Sequence, residues 1–207
     1  MKKLTTLFSA FLAVFLISRP AAATAQPDAQ KITSLITSSR ELWADNAIWN
    51  HNVIASSVGD GFDMEANMAR LLQNQESIGD YLNDFYGQKS GNDLSKLLRE
   101  QTMISTKVLD AIKNGDKEEA KRQQKIWYEN SIAIAGFLAA LNPNWDEKSL
   151  QDFFRKHLDL ITDTMYARVS KNPKWDIQAF DEDMDHVMAL SDYLATGLIK
   201  QFPGKFY

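Results

Sequence analysis

The chain has 207 residues, of which 44% are hydrophobic, 24% charged and 11% aromatic, and its formal net charge is −4. This composition is typical of a folded globular protein and excludes disordered and collagen-like chains. The sequence contains no Cys, which excludes a disulfide framework, a thiol nucleophile, a thiolate metal site and an iron–sulfur cluster.

Residues 1–25 have the pattern of a secretory signal peptide. Lys2 and Lys3 precede an apolar run over residues 7–17, and Ala23-Thr24-Ala25 follows with the small-x-small pattern that a signal peptidase cleaves. The apolar run is too short to span a bilayer as a mature helix. We therefore predict cleavage after Ala25, a periplasmic or secreted location, and no membrane anchor after cleavage.

Residues 26–207 are predicted to form a single all-helical bundle domain. Cleavage would remove three basic residues and change the net charge from −4 to −7. Because nucleic acids and anionic lipid surfaces repel an acidic protein, this charge argues against both as partners. The expected partner is a small ligand or another protein, which the sequence does not identify.

The mature chain nearly lacks β-branched alternation, and its apolar residues recur at spacings of three and four instead, which indicates amphipathic helices. Clusters of Gly, Pro, Asn and Asp interrupt this pattern at regular intervals. These interruptions predict six helices, over residues 28–58, 63–86, 90–114, 116–141, 147–171 and 174–201.

The interruptions repeat with a period of about 56 residues, a length that marks a repeated supersecondary unit. Gly59, Gly115 and Lys171 follow one another at this spacing, and so do three similar triplets. The triplets are Asp80-Tyr81-Leu82, Gly136-Phe137-Leu138 and Asp192-Tyr193-Leu194. We predict an up-down bundle of three repeated helical hairpins; the alternative is a four-helix core with two peripheral helices.

The repeat makes six polar residues equivalent within or beside the apolar stripes. Each lies about four helical turns from the connection of its hairpin, so all six should lie at one height in an antiparallel bundle. The first helices of the hairpins carry Asn46, Gln101 and His157, and the second helices carry Asn74, Asn130 and His186.

Two interpretations of this polar layer are open. The six side chains could form a mutually hydrogen-bonded network that fixes the helix register, or they could line a ligand or metal pocket. In the second case His157 and His186 are the candidate ligands of a metal ion or a haem iron, and Asp45, Asp183 and Asp185, which flank the layer, could contribute. In an enzyme, His157 would be the candidate catalytic residue. In a purely structural layer, His157→Leu should be neutral or stabilising.

Two other polar features are assigned to the surface. His51 is predicted to face solvent or a helix edge, because it lies about 140° round the helix from Asn46. The acidic run Asp181-Glu182-Asp183 is predicted to be a solvated helix turn, because helical residues two apart point in different directions.

The chain resembles a family of exported bacterial all-helical proteins that are often labelled glycosyltransferase or acetylglutamate kinase. The resemblance extends from Leu42 to Phe206. It rests on these residues and motifs: Leu42-Trp43-x-Asp45, Trp49, Arg70-Leu71-Leu72-x-Asn74-Gln75-x-x-Ile78-Gly79, Phe85-Tyr86-Gly87, Trp127-x-x-Asn130, Phe137-Leu138, Asn142-Pro143-x-Trp145, His157-Leu158, Asp176-Ile177, Asp181, His186 and Gln201-Phe202-Pro203-x-Lys205-Phe206.

In the resembling family, His commonly occupies the positions of Asn46 and Gln101, so the resemblance implies a layer of up to four imidazoles and a metal or cofactor site. This chain has amides at two of the four positions. The family labels imply a transferase or kinase, although such enzymes ordinarily use a phosphate-binding α/β scaffold and a cytoplasmic nucleotide donor. An enzyme is therefore kept as an alternative function.

Overall fold

A computed structural model describes residues 26–206 of the chain. The predicted signal peptide, residues 1–25, lies outside this range. Five α-helices follow one another: α1 (Ala29–Val58), α2 (Met64–Lys113), α3 (Lys117–Leu141), α4 (Glu147–Val169) and α5 (Pro173–Gln201). A 3-10 turn, η1, follows at Pro203–Lys205, and residues 26–206 contain no strand. The prediction of an all-α fold is confirmed.

Four of the helices begin where an Asp or Asn side chain accepts hydrogen bonds from the first-turn amides. The caps are Asp28 for α1, Asp116 for α3, Asp146 for α4 and Asn172 for α5. A cap matters because the first amides of a helix have no carbonyl partner within it. Asp116, Asp146 and Asn172 lie at the sequence interruptions, which explains why the starts of α3, α4 and α5 could be predicted closely.

The predicted second and third helices follow one another without an intervening loop and are numbered together as α2, whose two limbs meet at Gly87. Within α2 only Gly87 leaves the helical conformation, with φ 80° and ψ 161°. The chain folds back at this residue, since Arg99 Nη1 lies 2.6 Å from Glu76 Oε1 across the fold. A single glycine is enough to reverse the chain direction, because glycine adopts positive φ without steric cost. The two limbs therefore need no loop between them.

The helices run up and down between two ends of the bundle. At one end, Lys113 Nζ donates a hydrogen bond of 2.5 Å to the Ser57 carbonyl oxygen. This bond joins the C-terminal ends of α1 and α2. At the other end, Tyr86 Oη lies 2.5 Å from Gln201 Oε1. The Asp28 amide donates to the Phe206 carbonyl oxygen at 2.6 Å there. Both ends of the described chain therefore meet beside the Gly87 fold.

Three connections at the first end have the same backbone geometry. Residues Asp60, Gly115 and Lys171 have φ of 52°, 70° and 55°. In each case the next amide donates to a carbonyl five residues earlier: Gly61 to Ser56 at 2.8 Å, Asp116 to Ala111 at 2.9 Å and Asn172 to Ala167 at 2.8 Å. This pairing is the Schellman arrangement that closes a helix C-terminus. The positive φ falls on Asp60, one residue after the predicted break at Gly59.

Candidate functional site

A layer of polar side chains divides the buried apolar residues into two clusters. The cluster nearer the chain termini includes Trp43, Leu98 and Phe154. The cluster nearer the Schellman turns includes Ile104, Trp127 and Leu158. Each of the six predicted residues lies on its helix between residues of the two clusters or at the edge of one. The layer is therefore a boundary inside the core, and this follows from the positions of the polar residues along their helices.

The three residues from the first helices of the predicted hairpins line one small cavity. Asn46 comes from α1, Gln101 from the second limb of α2, and His157 from α4. The cavity has a volume of about 10 Å³, close to the space that one water molecule occupies. The other residues that line it are Asn50, Gln75, Thr102, Ser105, Trp127 and Ile161. A cavity of this size does not accommodate an organic ligand without rearrangement of the helices.

The three residues from the second helices are bonded to backbone carbonyls instead. Asn74 Nδ2 donates to the Leu42 oxygen at 3.0 Å, and Asn130 Nδ2 donates to the Leu97 oxygen at 3.3 Å. His186 Nε2 lies 2.8 Å from the Phe153 oxygen and donates to it. Each acceptor lies four residues before the cavity-lining residue of the same hairpin. The predicted layer thus separates into three cavity residues and three residues that tie adjacent helices together.

His157 forms a buried pair with Asp183 of α5. Its Nδ1 atom lies 2.6 Å from Asp183 Oδ1, and the two residues are 2% and 4% exposed. Because Nδ1 is bonded to the carboxylate, Nε2 is the other ring nitrogen of this cavity-lining residue. This orientation by a carboxylate occurs in catalytic histidines and in metal-ligating histidines.

The solvated turn predicted for Asp181-Glu182-Asp183 is wrong for Asp183. This residue lies in line with buried Ala179 and Val187, four residues on either side. The helical period alone therefore could have assigned Asp183 to the interior. The neighbouring acidic residues concealed this signal, because a run of charges is usually solvated as a unit.

The two histidines proposed as metal ligands are directed toward different partners. His157 is held by Asp183, whereas His186 donates to a backbone carbonyl and does not line the cavity. Among residues 26–206, no group of three or more His, Cys, Asp or Glu side chains has an arrangement that could hold a metal ion. The cavity supplies one imidazole together with amides and hydroxyls, a set that transition metals rarely select.

His51, which was predicted to face solvent or a helix edge, is half-buried where α1 meets α4 and α5. Its Nε2 lies 3.1 Å from Asp176 Oδ1 and 3.1 Å from Arg168 Nη2, and its ring packs on Phe180. Burial lowers the pKa of His51; Asp176 acts in the opposite direction and Arg168 lowers it further. Burial also lowers the pKa of His186, against the effect of its bond to Phe153.

These shifts predict that the protein loses stability when the pH falls from 8 to 5. An unfolded histidine has a pKa of about 6.5, whereas both folded histidines have lower values. The unfolded chain therefore binds more protons below about pH 6.5, and acid favours it. Urea unfolding at pH 8, 6.5 and 5 measures this effect, since carboxylate titration lies mostly below that range.

The matched control is His186→Asn, which keeps a donor to the Phe153 carbonyl, as Asn74 and Asn130 have at the equivalent positions. We expect this variant to match the wild type at pH 8 and to lose less stability at pH 5. An unchanged pH profile would show that His186 does not contribute to the acid sensitivity.

A groove on the described surface lies away from the layer, where Asp28 and Phe206 meet. It has a volume of about 650 Å³ and runs along the first turns of α1, so it is of the size that ligand sites have. Tyr81 and Phe85 line it, as do Lys31, Asp84 and Lys205. Lys205 Nζ lies 5.3 Å from the centre of the Phe85 ring.

Comparison with protein-family models, curated proteins and solved structures finds no match to this chain. Within residues 26–206, no helix is both long and apolar enough to cross a membrane. The geometry of the layer and of the surface is therefore the basis for inferring function.

Proposed function

We propose that the protein is an exported helical bundle with a structural or interaction role, whose polar layer fixes the helix register and does not serve as a ligand pocket. The observation that carries this proposal is the set of three equivalent hydrogen bonds from Asn74, Asn130 and His186 to backbone carbonyls. Export rests on the signal-peptide pattern of residues 1–25.

The same three bonds support a threefold internal repeat. The donors recur with the predicted period, and the acceptors Leu42, Leu97 and Phe153 recur with it to within one residue. The three Schellman turns repeat at matching spacings. We therefore propose that α1 with the first limb of α2, the second limb of α2 with α3, and α4 with α5 are three copies of one hairpin.

A register-fixing role follows from the cost of misplacing the layer. If one helix slipped by a turn, about 5.4 Å, its polar residue would enter an apolar cluster and lose its partners. An unpaired buried amide costs roughly 1–3 kcal/mol, and six layer residues oppose such slips. Apolar side chains alone discriminate less between registers, because a shifted stripe still buries apolar surface.

The alternatives of a ligand pocket and an enzyme need a substrate to reach His157. This residue is 2% exposed, and the adjoining cavity admits about one water molecule. The metal-ion alternative needs further ligands beside His157. These features favour the network over both alternatives.

Native mass spectrometry on residues 26–207, exported and purified without chelator, tests the proposal. We expect the mass of the polypeptide alone, with no stoichiometric metal ion or small molecule. Elemental analysis of the same sample and a thermal-shift screen with divalent metals should show no specific binding.

The variant His157→Ala and the groove variant Phe85→Ala separate the outcomes. A bound species that disappears in His157→Ala would contradict the proposal and make the layer a binding site. A bound species that persists in His157→Ala but disappears in Phe85→Ala would place the site in the groove at the chain ends. The layer would then retain its structural role, and the protein would be a ligand-binding protein.

A further inference from the structure

Two buried N–H donors that border the layer cavity have no protein partner among residues 26–206. They are Trp127 Nε1 and Gln101 Nε2, from residues that are 1% and 9% exposed. Trp127 comes from α3 and Gln101 from α2, and both line the cavity. Because a buried donor without an acceptor destabilises the folded state, two such donors beside one cavity indicate a guest that accepts hydrogen bonds.

His157 supplies the complementary group. Asp183 holds the Nδ1 atom of the ring at 2.6 Å. In the neutral tautomer with the proton on Nδ1, Nε2 is an acceptor with its lone pair free. The cavity is therefore bordered by two donors without partners and by a histidine ring that can supply one acceptor. A guest of about 10 Å³ that accepts two bonds and donates at least one has the chemistry of water.

We infer that the cavity is a binding site for one internal water molecule, which accepts from Trp127 Nε1 and Gln101 Nε2 and donates to His157 Nε2. This water joins α2, α3 and α4 through atoms that do not reach one another directly. The inference rests on the proposed register-fixing role, and it extends the network from pairwise contacts to a centre shared by three helices.

Other features of the site agree with water in preference to an ion. Asn46 Nδ2 lies 3.4 Å from Gln75 Oε1 and Asn50 Nδ2 lies 3.0 Å from Asn46 Oδ1, so these amides are mutually bonded. The hydroxyls of Thr102 and Ser105 donate to carbonyls of their own helix. Asp183, which is bonded to the lining residue His157, carries a negative charge that disfavours an anion.

The first measurement is a water-selective NMR experiment on the folded 26–207 protein, observed at the indole N–H protons. We expect a cross-peak between bound water and the indole proton of Trp127. Trp145 is the matched control, because it is equally buried and its Nε1 donates to the Leu194 carbonyl at 3.2 Å. Its indole proton should show no such cross-peak. Trp→Phe variants assign the two signals.

The variant Gln101→Met removes both polar atoms while keeping similar length, and we expect it to abolish the Trp127 cross-peak. A crystal structure from crystals grown in sodium bromide provides the second test. Density without anomalous signal within hydrogen-bond distance of Trp127 Nε1 would support water. An anomalous bromide peak there, or absence of both density and cross-peak, would overturn the inference.

The same NMR sample separates this inference from the proposed function. The side-chain amides of Asn74 and Asn130 should exchange slowly, because each donates to a backbone carbonyl. Slow exchange with no Trp127 cross-peak would overturn the water site and leave the register-fixing role standing. Rapid exchange of both amides would contradict the register-fixing role itself.

Discussion

The variant His157→Leu is expected to be less stable than the wild type by about 3–5 kcal/mol, the usual cost of removing the partner of a buried charge. The leucine would leave the Asp183 carboxylate without its donor, in a position that is 4% exposed. This expectation reverses the one drawn from sequence, in which His157→Leu was neutral or stabilising. The reversal arises because Asp183 was expected in solvent. Urea unfolding at pH 7 measures the effect.

The double variant His157→Leu with Asp183→Ala is the control. Because it removes both members of the pair, no buried carboxylate is left unpaired, and we expect it to be more stable than His157→Leu alone. Such recovery would show that the loss comes from the pair and not from the shape of leucine. A double variant less stable than either single variant would contradict this account.

The variant Gly79→Ala is expected to destabilise the protein by about 3 kcal/mol through overpacking. A β-carbon at Gly79 would lie 2.0 Å from Ser95 Oγ and 2.4 Å from the Gly91 carbonyl oxygen. The serine hydroxyl can move, but the carbonyl belongs to the backbone of the opposite limb of α2. Adding Ser95→Ala should therefore not restore stability. Thermal and urea unfolding of the single and double variants measure this effect.

Gly136→Ala is the same substitution at a position where an added β-carbon would make no close contact. The nearest atom to an added β-carbon is Glu147 Oε1 at 3.7 Å, an ordinary contact. Replacing glycine by alanine inside a helix favours folding by about 0.5–1 kcal/mol. We therefore expect opposite signs for the two variants. Equal effects would show that the limbs of α2 do not approach as closely as the structure places them.

Local features of the sequence were enough to predict the helical class and most of the helix boundaries. Asp116, Asp146 and Asn172 cap their helices where the interruptions predicted helix starts, since capping depends on residues within one turn. The exception was Gly87. Sequence patterns mark a break there, but whether a break is a loop or a single-residue fold depends on how closely the two limbs pack.

The sequence predicted six polar residues at one height and did not predict how they are arranged around the cavity. Gln101, Asn130 and His157 each lie on their helices between residues of the two apolar clusters. Which of them face the cavity depends on the rotation of each helix about its axis. Asn46, Gln101 and His157 turn inward, while Asn74, Asn130 and His186 contact a neighbouring backbone.

Some contributors to the site could not be found from the period alone. The unpartnered Nε1 of Trp127 is evident only from the structure, where Trp127 lines the cavity beside Gln101 and His157. The pairing of His157 with Asp183 joins residues on two different helices, α4 and α5. A sequence pattern gives the face of each helix that is apolar, and it does not give the partner that a polar atom on that face will meet.

The sequence by itself determined the all-helical class, the capped helix starts and the mid-length height of the polar residues, because each depends on local periodicity and turn chemistry. Only the tertiary structure decided that the layer encloses about 10 Å³, that Asp183 lies inside, and that α2 folds at one glycine. These features depend on distances between helices, which side-chain volumes and helix rotations set together once the whole bundle has packed.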